Sequence, residues 1–138
     1  MLNSNKLFNK NFLSSMDLLT EEVFDILELA EKFKNKKLNI ELKNKVLGLI
    51  FDKSSTRTRV SFQVAMSRLG GTTIDLNPTT SQIGRGEPIK DTARVLSRYC
   101  DVLAIRTFNH SDLEEYAKWS PKPVINALTG LELSLIHI

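Results

Sequence analysis

A short apolar stretch that runs through a polar turn into a helical segment constrains this chain more than any other feature. Residues 47–51 read LGLIF, and a strand without polar positions is typically covered on both faces, as in a parallel sheet. Residues 60–69 read VSFQVAMSRL, which predicts a largely buried helix, and the Gly70 and Gly71 pair predicts its end. A strand, a turn and a helix must therefore follow one another directly.

The turn between this strand and this helix carries hydroxyl and guanidinium groups in place of acids. Ser55, Thr56 and Thr58 are interleaved with Arg57 and Arg59. A helix N-terminus is already electropositive and has unpaired N–H groups, so two arginines there are unfavourable unless an anion binds. Hydroxyl, amide and guanidinium donors together suit phosphate or a phosphate ester. The spacing is not that of a Gly-rich Walker loop.

A simpler interpretation of this turn stays open. Ser55 or Thr56 would then be an ordinary N-cap, and the arginines would pair with Asp52, Asp91 or another carboxylate nearby. The anion site is favoured because the turn follows the carboxyl end of a predicted parallel strand, which is the edge where open α/β sheets bind ligands.

Further apolar stretches alternate with helical patterns along the chain. Strands are predicted at Thr72–Leu76, 101–105 and 122–126, and helices from an N-cap at Thr20, from Pro88, and from Ser111 or Asp112. Residues 1–16 are predicted to be an irregular arm and residues 77–88 a loop that carries Gln82. The alternation predicts an α/β fold, a doubly wound parallel sheet with helices on both faces. Arg106 would then stand at the same sheet edge as the polar turn.

Composition argues against several classes of function. The net charge of +3 is dispersed, and without a basic stripe interleaved with aromatics the chain is not expected to bind nucleic acid. No apolar run is long enough to span a bilayer, and the first residues lack the apolar core of a secretion signal. The single cysteine, Cys100, is predicted to be a buried structural thiol in a reducing cytoplasm. No cluster has metal-ligand spacing.

Two longer stretches resemble a known family. SSTRTRVSFQVAMSRLGG at 54–71 and SQIGRGEPIKDTARVLSRYCDVLAIRTF at 81–108 closely resemble the carbamoyl-phosphate-binding domain of the ornithine carbamoyltransferases. The run S-T-R-T-R is typical of the carbamoyltransferase superfamily as a whole. DTARVLS at 91–97 and RTF at 106–108 favour the ornithine branch over the aspartate branch.

The resemblance implies an activity and a set of site residues. The activity is transfer of the carbamoyl group from carbamoyl phosphate to the side-chain amine of L-ornithine, which gives L-citrulline and phosphate in arginine metabolism. It implies no metal or organic cofactor. Ser55, Thr56, Arg57 and Thr58 would hold the phosphate and part of the carbamoyl group. Arg106 would contact the carbamoyl oxygen and the phosphate, and Gln82 would reach the carbamoyl phosphate of a neighbouring subunit in a homotrimer.

The resemblance also predicts the domain organisation. Residues 1–129 would form the carbamoyl-phosphate-binding domain, and residues 130–138 (GLELSLIHI) a poorly packed tail unlike the family. With a second, ornithine-binding domain absent, the chain is predicted to be a fragment that is inactive alone. Three alternatives stay open: an aspartate carbamoyltransferase or another carbamoyltransferase, a phosphate-binding module without activity, and an inert half-domain that aggregates through an exposed sheet edge.

Overall fold

The structure is a computed structural model that describes residues 7–79 and 81–129. Helices and strands alternate along the chain. In order they are α1 (Thr20–Lys34), β1 (Val46–Phe51), α2 (Arg57–Arg68), β2 (Thr72–Leu76), α3 (Ile89–Tyr99), β3 (Val102–Arg106), α4 (His110–Trp119) and β4 (Val124–Asn126), with 3₁₀ turns at Ser15–Asp17 and Gln82–Arg85. The predicted tail at 130–138 lies outside the described residues.

The strands form one parallel sheet in the order β2-β1-β3-β4. The two central strands, β1 and β3, hold most of the fully buried residues of the sheet, as expected for strands that are covered on both faces. The predicted α/β sheet with helices on both faces is confirmed.

Alternate side chains of the central strands contribute to two separate cores. Ile50 and Ile105 pack into a core that includes Leu113 and Tyr116 of α4. The other core lies on the opposite face, where Leu49, Phe51 and Ala104 pack with Phe62 and Met66 of α2. Successive side chains of a strand point to opposite faces. Arg106, two residues after Ala104, therefore leaves β3 on the α2 side, and Asp52 leaves β1 on the α4 side.

Helix α2 is less buried than the sequence predicts. Val60 and Val64 are 48% and 41% exposed, and no residue of the helix is fully buried. The reason is that α2 packs beside the edge strand β2, and only Phe62 and Met66 reach the core. No other described element covers the side of α2 that faces away from the sheet. The predicted end of the helix is correct, since Gly70 follows it in the left-handed region with φ 76°.

Residues 7–16 of the predicted irregular arm form regular contacts, while residues 1–6 lie outside the described residues. Phe12 pairs with the edge strand β4: its N–H donates to the Val124 oxygen at 2.9 Å, and the Asn126 N–H donates to the Phe12 oxygen at 2.7 Å. The predicted N-cap at Thr20 is wrong by one residue. Leu19 holds that position, and Glu22 supplies the cap instead by accepting the Leu19 N–H at 2.7 Å.

Other predictions can be compared with the structure directly. Cys100 is only 3% exposed, and burial raises the pKa of its thiol, so the predicted buried cysteine is confirmed. The predicted loop at 77–88 contains the 3₁₀ turn Gln82–Arg85. Across residues 7–79 and 81–129, no helix has both the length and the apolar character that crossing a membrane requires.

Candidate anion-binding site

The carboxyl ends of β1 and β3 bring two distant parts of the chain together. Phe51 lies opposite Arg106 in the register of the two strands, and the Asp52 N–H donates to the Arg106 oxygen at 2.9 Å. The chain then turns and enters α2 at Arg57. The polar turn and Arg106 therefore share one edge of the sheet, which is where open α/β sheets bind ligands.

The N-terminus of α2 is electropositive and has no side-chain cap. Thr56 occupies the N-cap position, but neither its hydroxyl nor any other described side chain caps the helix, and the first turn has no acid. The ordinary N-cap of the simpler interpretation is therefore not observed. The first N–H groups of α2 stay available to an anion.

The two arginines of the turn have different environments. Arg59 Nε lies 3.2 Å from Asp75 Oδ2, and its guanidinium carbon is 5.2 Å from the centre of the Phe51 ring. Arg59 thus connects the first turn of α2 to β2 through Asp75 and to β1 through Phe51. The simpler interpretation paired the arginines with Asp52, Asp91 or another carboxylate nearby. Asp75 is such a carboxylate, so this part of the simpler interpretation is confirmed for Arg59. Arg57 is exposed, and its guanidinium forms no ion pair or hydrogen bond with any described residue.

Arg106 has an unsatisfied donor on the same side of the sheet. Its Nε is buried and has no hydrogen-bond partner among the residues that the structure describes. A buried donor without a partner costs about 1–3 kcal/mol, and more when the group is charged. An oxygen-rich anion at the N-terminus of α2 would supply the missing acceptor.

A further cation at this edge was not singled out from the sequence. Lys53 Nζ lies 5.2 Å from the centre of the Phe108 ring, so the residues that follow β1 and β3 contact each other across the sheet edge. In the sequence, the only indication of a role for Lys53 was its place directly before the polar turn. Gln82, by contrast, is exposed in its 3₁₀ turn, and its side chain contacts none of the other candidate residues within the described chain. The role that the resemblance gives it in a neighbouring subunit stays a prediction.

Asp52 places negative charge on the opposite face of the same edge. Its Oδ1 is buried without a hydrogen-bond partner in the described part of the chain. Burial raises the pKa of the Asp52 carboxyl, and the neighbouring carboxylate of Asp112 raises it further. The sheet edge is therefore cationic on the α2 side and acidic on the α4 side.

Replacing Asp52 with asparagine should stabilise this chain at neutral pH. When folding raises the pKa of an acid, its protonated form stabilises the folded state. This stabilisation is complete below the pKa of the unfolded state and is lost as the pH rises through the pKa of the folded state. At pH 7 the ionised carboxylate thus opposes folding, so Asp52→Asn should raise Tm by a few degrees at pH 7 and not at pH 3. Thermal unfolding followed by circular dichroism measures this. Glu31→Gln on exposed α1 is the control, and a lower Tm of Asp52→Asn at pH 7 would contradict the expectation.

Fold and site together define a parallel α/β domain with an electropositive edge. Residues 10–133 match the family described as aspartate/ornithine carbamoyltransferase, carbamoyl-P binding domain. The chain belongs to this family, so the resemblance seen in the sequence is confirmed.

Relatives agree with this assignment. The ornithine carbamoyltransferase of Prochlorococcus marinus subsp. pastoris is 84% identical over 132 residues, which cover 96% of this chain and 43% of that protein. The ornithine carbamoyltransferase of Nostoc punctiforme is 55% identical over 126 residues, 91% of this chain and 41% of that protein. The chain thus spans about two fifths of the length of these relatives.

Solved structures of both branches share the fold. An ornithine carbamoyltransferase from Gloeobacter violaceus has a TM-score of 0.79 and 52% identity, covering 88% of this chain and 39% of its own. Aspartate transcarbamoylase from Trypanosoma cruzi, in complex with carbamoyl phosphate and aspartate, has a TM-score of 0.83 and 29% identity, covering 91% and 43%.

Proposed function

We propose that this chain is the carbamoyl-phosphate-binding part of an ornithine carbamoyltransferase. The complete enzyme would transfer the carbamoyl group of carbamoyl phosphate to the side-chain amine of L-ornithine and release L-citrulline and phosphate. One observation carries the proposal: the uncapped N-terminus of α2, the unpaired Arg57 and the unsatisfied Nε of Arg106 lie at one edge of the sheet. The names of the relatives support the choice of ornithine.

Each donor of the site has a place in the proposed reaction. The phosphate would be held by the N–H groups of α2, by Arg57 and by the hydroxyls of Ser55, Thr56 and Thr58. Arg106 would reach the carbamoyl oxygen as well as the phosphate. The neutral amine attacks the carbonyl carbon, negative charge grows on the carbonyl oxygen, the bond to the phosphate oxygen breaks, and the amine nitrogen loses a proton. Donors that are fixed beforehand stabilise this charge without reorganising water.

The proposal also covers the setting of the enzyme, on the basis of the resemblance. We place it in arginine biosynthesis in the cytoplasm, as a homotrimer in which Gln82 reaches the carbamoyl phosphate of a neighbouring subunit. L-Ornithine would bind mostly to the part of the enzyme that lies outside the residues matched here, which are about two fifths of the relatives' length. The chain by itself would therefore bind carbamoyl phosphate without producing citrulline.

Titration of the chain with carbamoyl phosphate tests the proposal. Amide resonances of residues 55–58 and of Arg106 should shift and saturate, because these groups would contact the ligand, while resonances of α1 should not change. Citrulline should form only when the same residues are joined to the remainder of the P. marinus relative and ornithine is added. Shifts confined to other residues would contradict the site. Binding without citrulline in the joined protein would favour the alternative of a phosphate-binding module.

A further inference from the structure

Three side chains of neighbouring strands share the face of the sheet on which α2 packs. Asp75 of β2 lies opposite Leu49 of β1. Phe51 of β1 lies opposite Arg106 of β3. Leu49 and Phe51 both belong to the core beneath α2, and opposed residues of neighbouring strands point to the same face. Asp75, Phe51 and Arg106 therefore follow one another across this face, in the strand order β2-β1-β3.

Arg59 of α2 contacts the first two of these side chains. Its guanidinium carbon is 5.2 Å from the centre of the Phe51 ring, and its Nε is 3.2 Å from Asp75 Oδ2. The side chains of Arg59 and Asp75 are 27% and 30% exposed, so salt and water screen their attraction less than at an open surface. Arg59 Nε is buried without an aligned hydrogen bond in the described part of the chain. What joins Arg59 to Asp75 is therefore opposite charge, which an amide would not supply.

The first turn of α2 depends on this ion pair because its usual attachment is missing. No described side chain caps the helix, and its first turn has no acid. Gln63, one turn further along, also donates to Asp75 Oδ2, at 3.5 Å. Asp75 therefore contacts the first two turns of α2, and it supplies from β2 the negative charge that a helix usually carries in its own first turn.

We propose that Arg59 and Asp75 are positioning residues for carbamoyl phosphate. This inference rests on the proposed function. The ion pair fixes the first turn of α2 against the sheet, and the same turn carries Arg57 and the N–H groups of the helix end. Asp75 also holds Arg59 toward β2, so the anion meets Arg57 and Arg106 and does not meet a third guanidinium. In this arrangement neither member of the ion pair touches the ligand.

The sign of the effect on binding separates positioning from simple electrostatics. A carboxylate near an anion site repels the anion, so removing the charge of Asp75 would by its field alone tighten binding. Loss of positioning has the opposite sign, because misplacing a binding group by about 1 Å can slow a reaction about a hundredfold. An ion pair that only stabilised the fold would change Tm and leave the affinity for carbamoyl phosphate as it is.

Asp75→Asn tests the inference, since it removes the charge and keeps the shape. It is made in this chain, where calorimetry gives the Kd of carbamoyl phosphate, and in the same residues joined to the remainder of the P. marinus relative, where citrulline formation gives kcat and KM. Kd should rise and kcat/KM should fall, each by about tenfold. Asp75→Glu keeps the charge and should restore most of the loss. The matched control Glu28→Gln, which breaks an ion pair with Lys32 on α1, should change neither quantity.

A second comparison asks whether Asp75 acts through Arg57. In an Arg57→Ala background the group to be positioned is gone, so Asp75→Asn should lower kcat/KM by about threefold at most. An equal factor in both backgrounds would mean that the two residues act independently. That result would overturn the inference, and so would unchanged or tighter binding of carbamoyl phosphate by the Asp75→Asn variant.

Further readouts separate the inference from folding and from the proposed function. Circular dichroism shows whether Asp75→Asn folds, and Arg59→Gln breaks the same ion pair from the other side with the same expected fall in kcat/KM. Without ligand, the amide resonances of residues 55–58 should move in Asp75→Asn and return in Asp75→Glu. A parent chain and an Asp75→Asn variant that bind carbamoyl phosphate equally well would reject only this inference. A parent that does not bind it, with those resonances displaced in Asp75→Asn, would reject the proposed function and leave the ion pair as the attachment of the turn.

Discussion

Replacing Arg57 with alanine should lower the turnover of the complete enzyme about a hundredfold or more. Arg57 is the exposed arginine of the polar turn that has no ion pair within residues 7–79 and 81–129. A preorganised donor to developing charge typically contributes about 3–4 kcal/mol to lowering the barrier. The measurement is kcat for citrulline formation by this domain joined to the remainder of the P. marinus relative. In the chain alone, the same substitution should weaken carbamoyl phosphate binding without lowering Tm.

The matched control for Arg57→Ala is Arg68→Ala. Arg68 is exposed in the last turn of the same helix, so its loss removes an equal charge from α2 at the end that faces away from the site. Turnover of the Arg68 variant should be nearly unchanged. An Arg57 variant with the same kcat as the parent would remove this residue from the proposed mechanism.

Replacing Gly48 with valine should destabilise the fold by about 1–3 kcal/mol, the usual cost of forcing extra methyl groups into a packed core. A Cβ at Gly48 would lie 2.8 Å from Leu103 Cδ2 and 3.0 Å from Cys100 Sγ. Valine favours strands by propensity, so the loss would come from packing alone. Urea unfolding measures it as a lower midpoint with an unchanged slope.

The control for Gly48→Val is Ile74→Val on the neighbouring strand. Ile74 lies opposite Gly48 in the register of β1 and β2, but it is 38% exposed, so removing a methylene there should cost little. Equal unfolding midpoints for the Gly48 variant and the parent would contradict the prediction. They would show that Leu103 and Cys100 can move to make room for the valine side chain.

The sequence predicted those features that depend on local pattern. The strand Thr72–Leu76 has the predicted bounds, because a glycine pair before it and Asn-Pro after it mark both ends. The shared edge of the polar turn and Arg106 followed from the parallel sheet alone. The strand bounds required only neighbouring residues, and the shared edge required only the local pattern of each strand together with the parallel arrangement of the sheet.

Features that depend on distant residues were not predictable in this way. Asp75 pairs with Arg59 because β2 lies beside β1, and nothing near Arg59 in the sequence signals that neighbour. The exposure of Val60 and Val64 depends on what else covers α2, which an apolar pattern does not reveal. The role of Gln82 depends on a neighbouring subunit, so it stays a prediction from resemblance.

The pairing of Phe12 with β4 sets an order for synthesis of this domain. Asn11 and Leu13 bond to residues of β4 that lie 113 positions further along the chain. During translation, Asn11 and Leu13 therefore cannot form these hydrogen bonds until the residues of β4 have left the ribosome. Long-range closure of this kind is slow and leaves strand edges exposed meanwhile, so the edge of β4 is paired only at the end of folding.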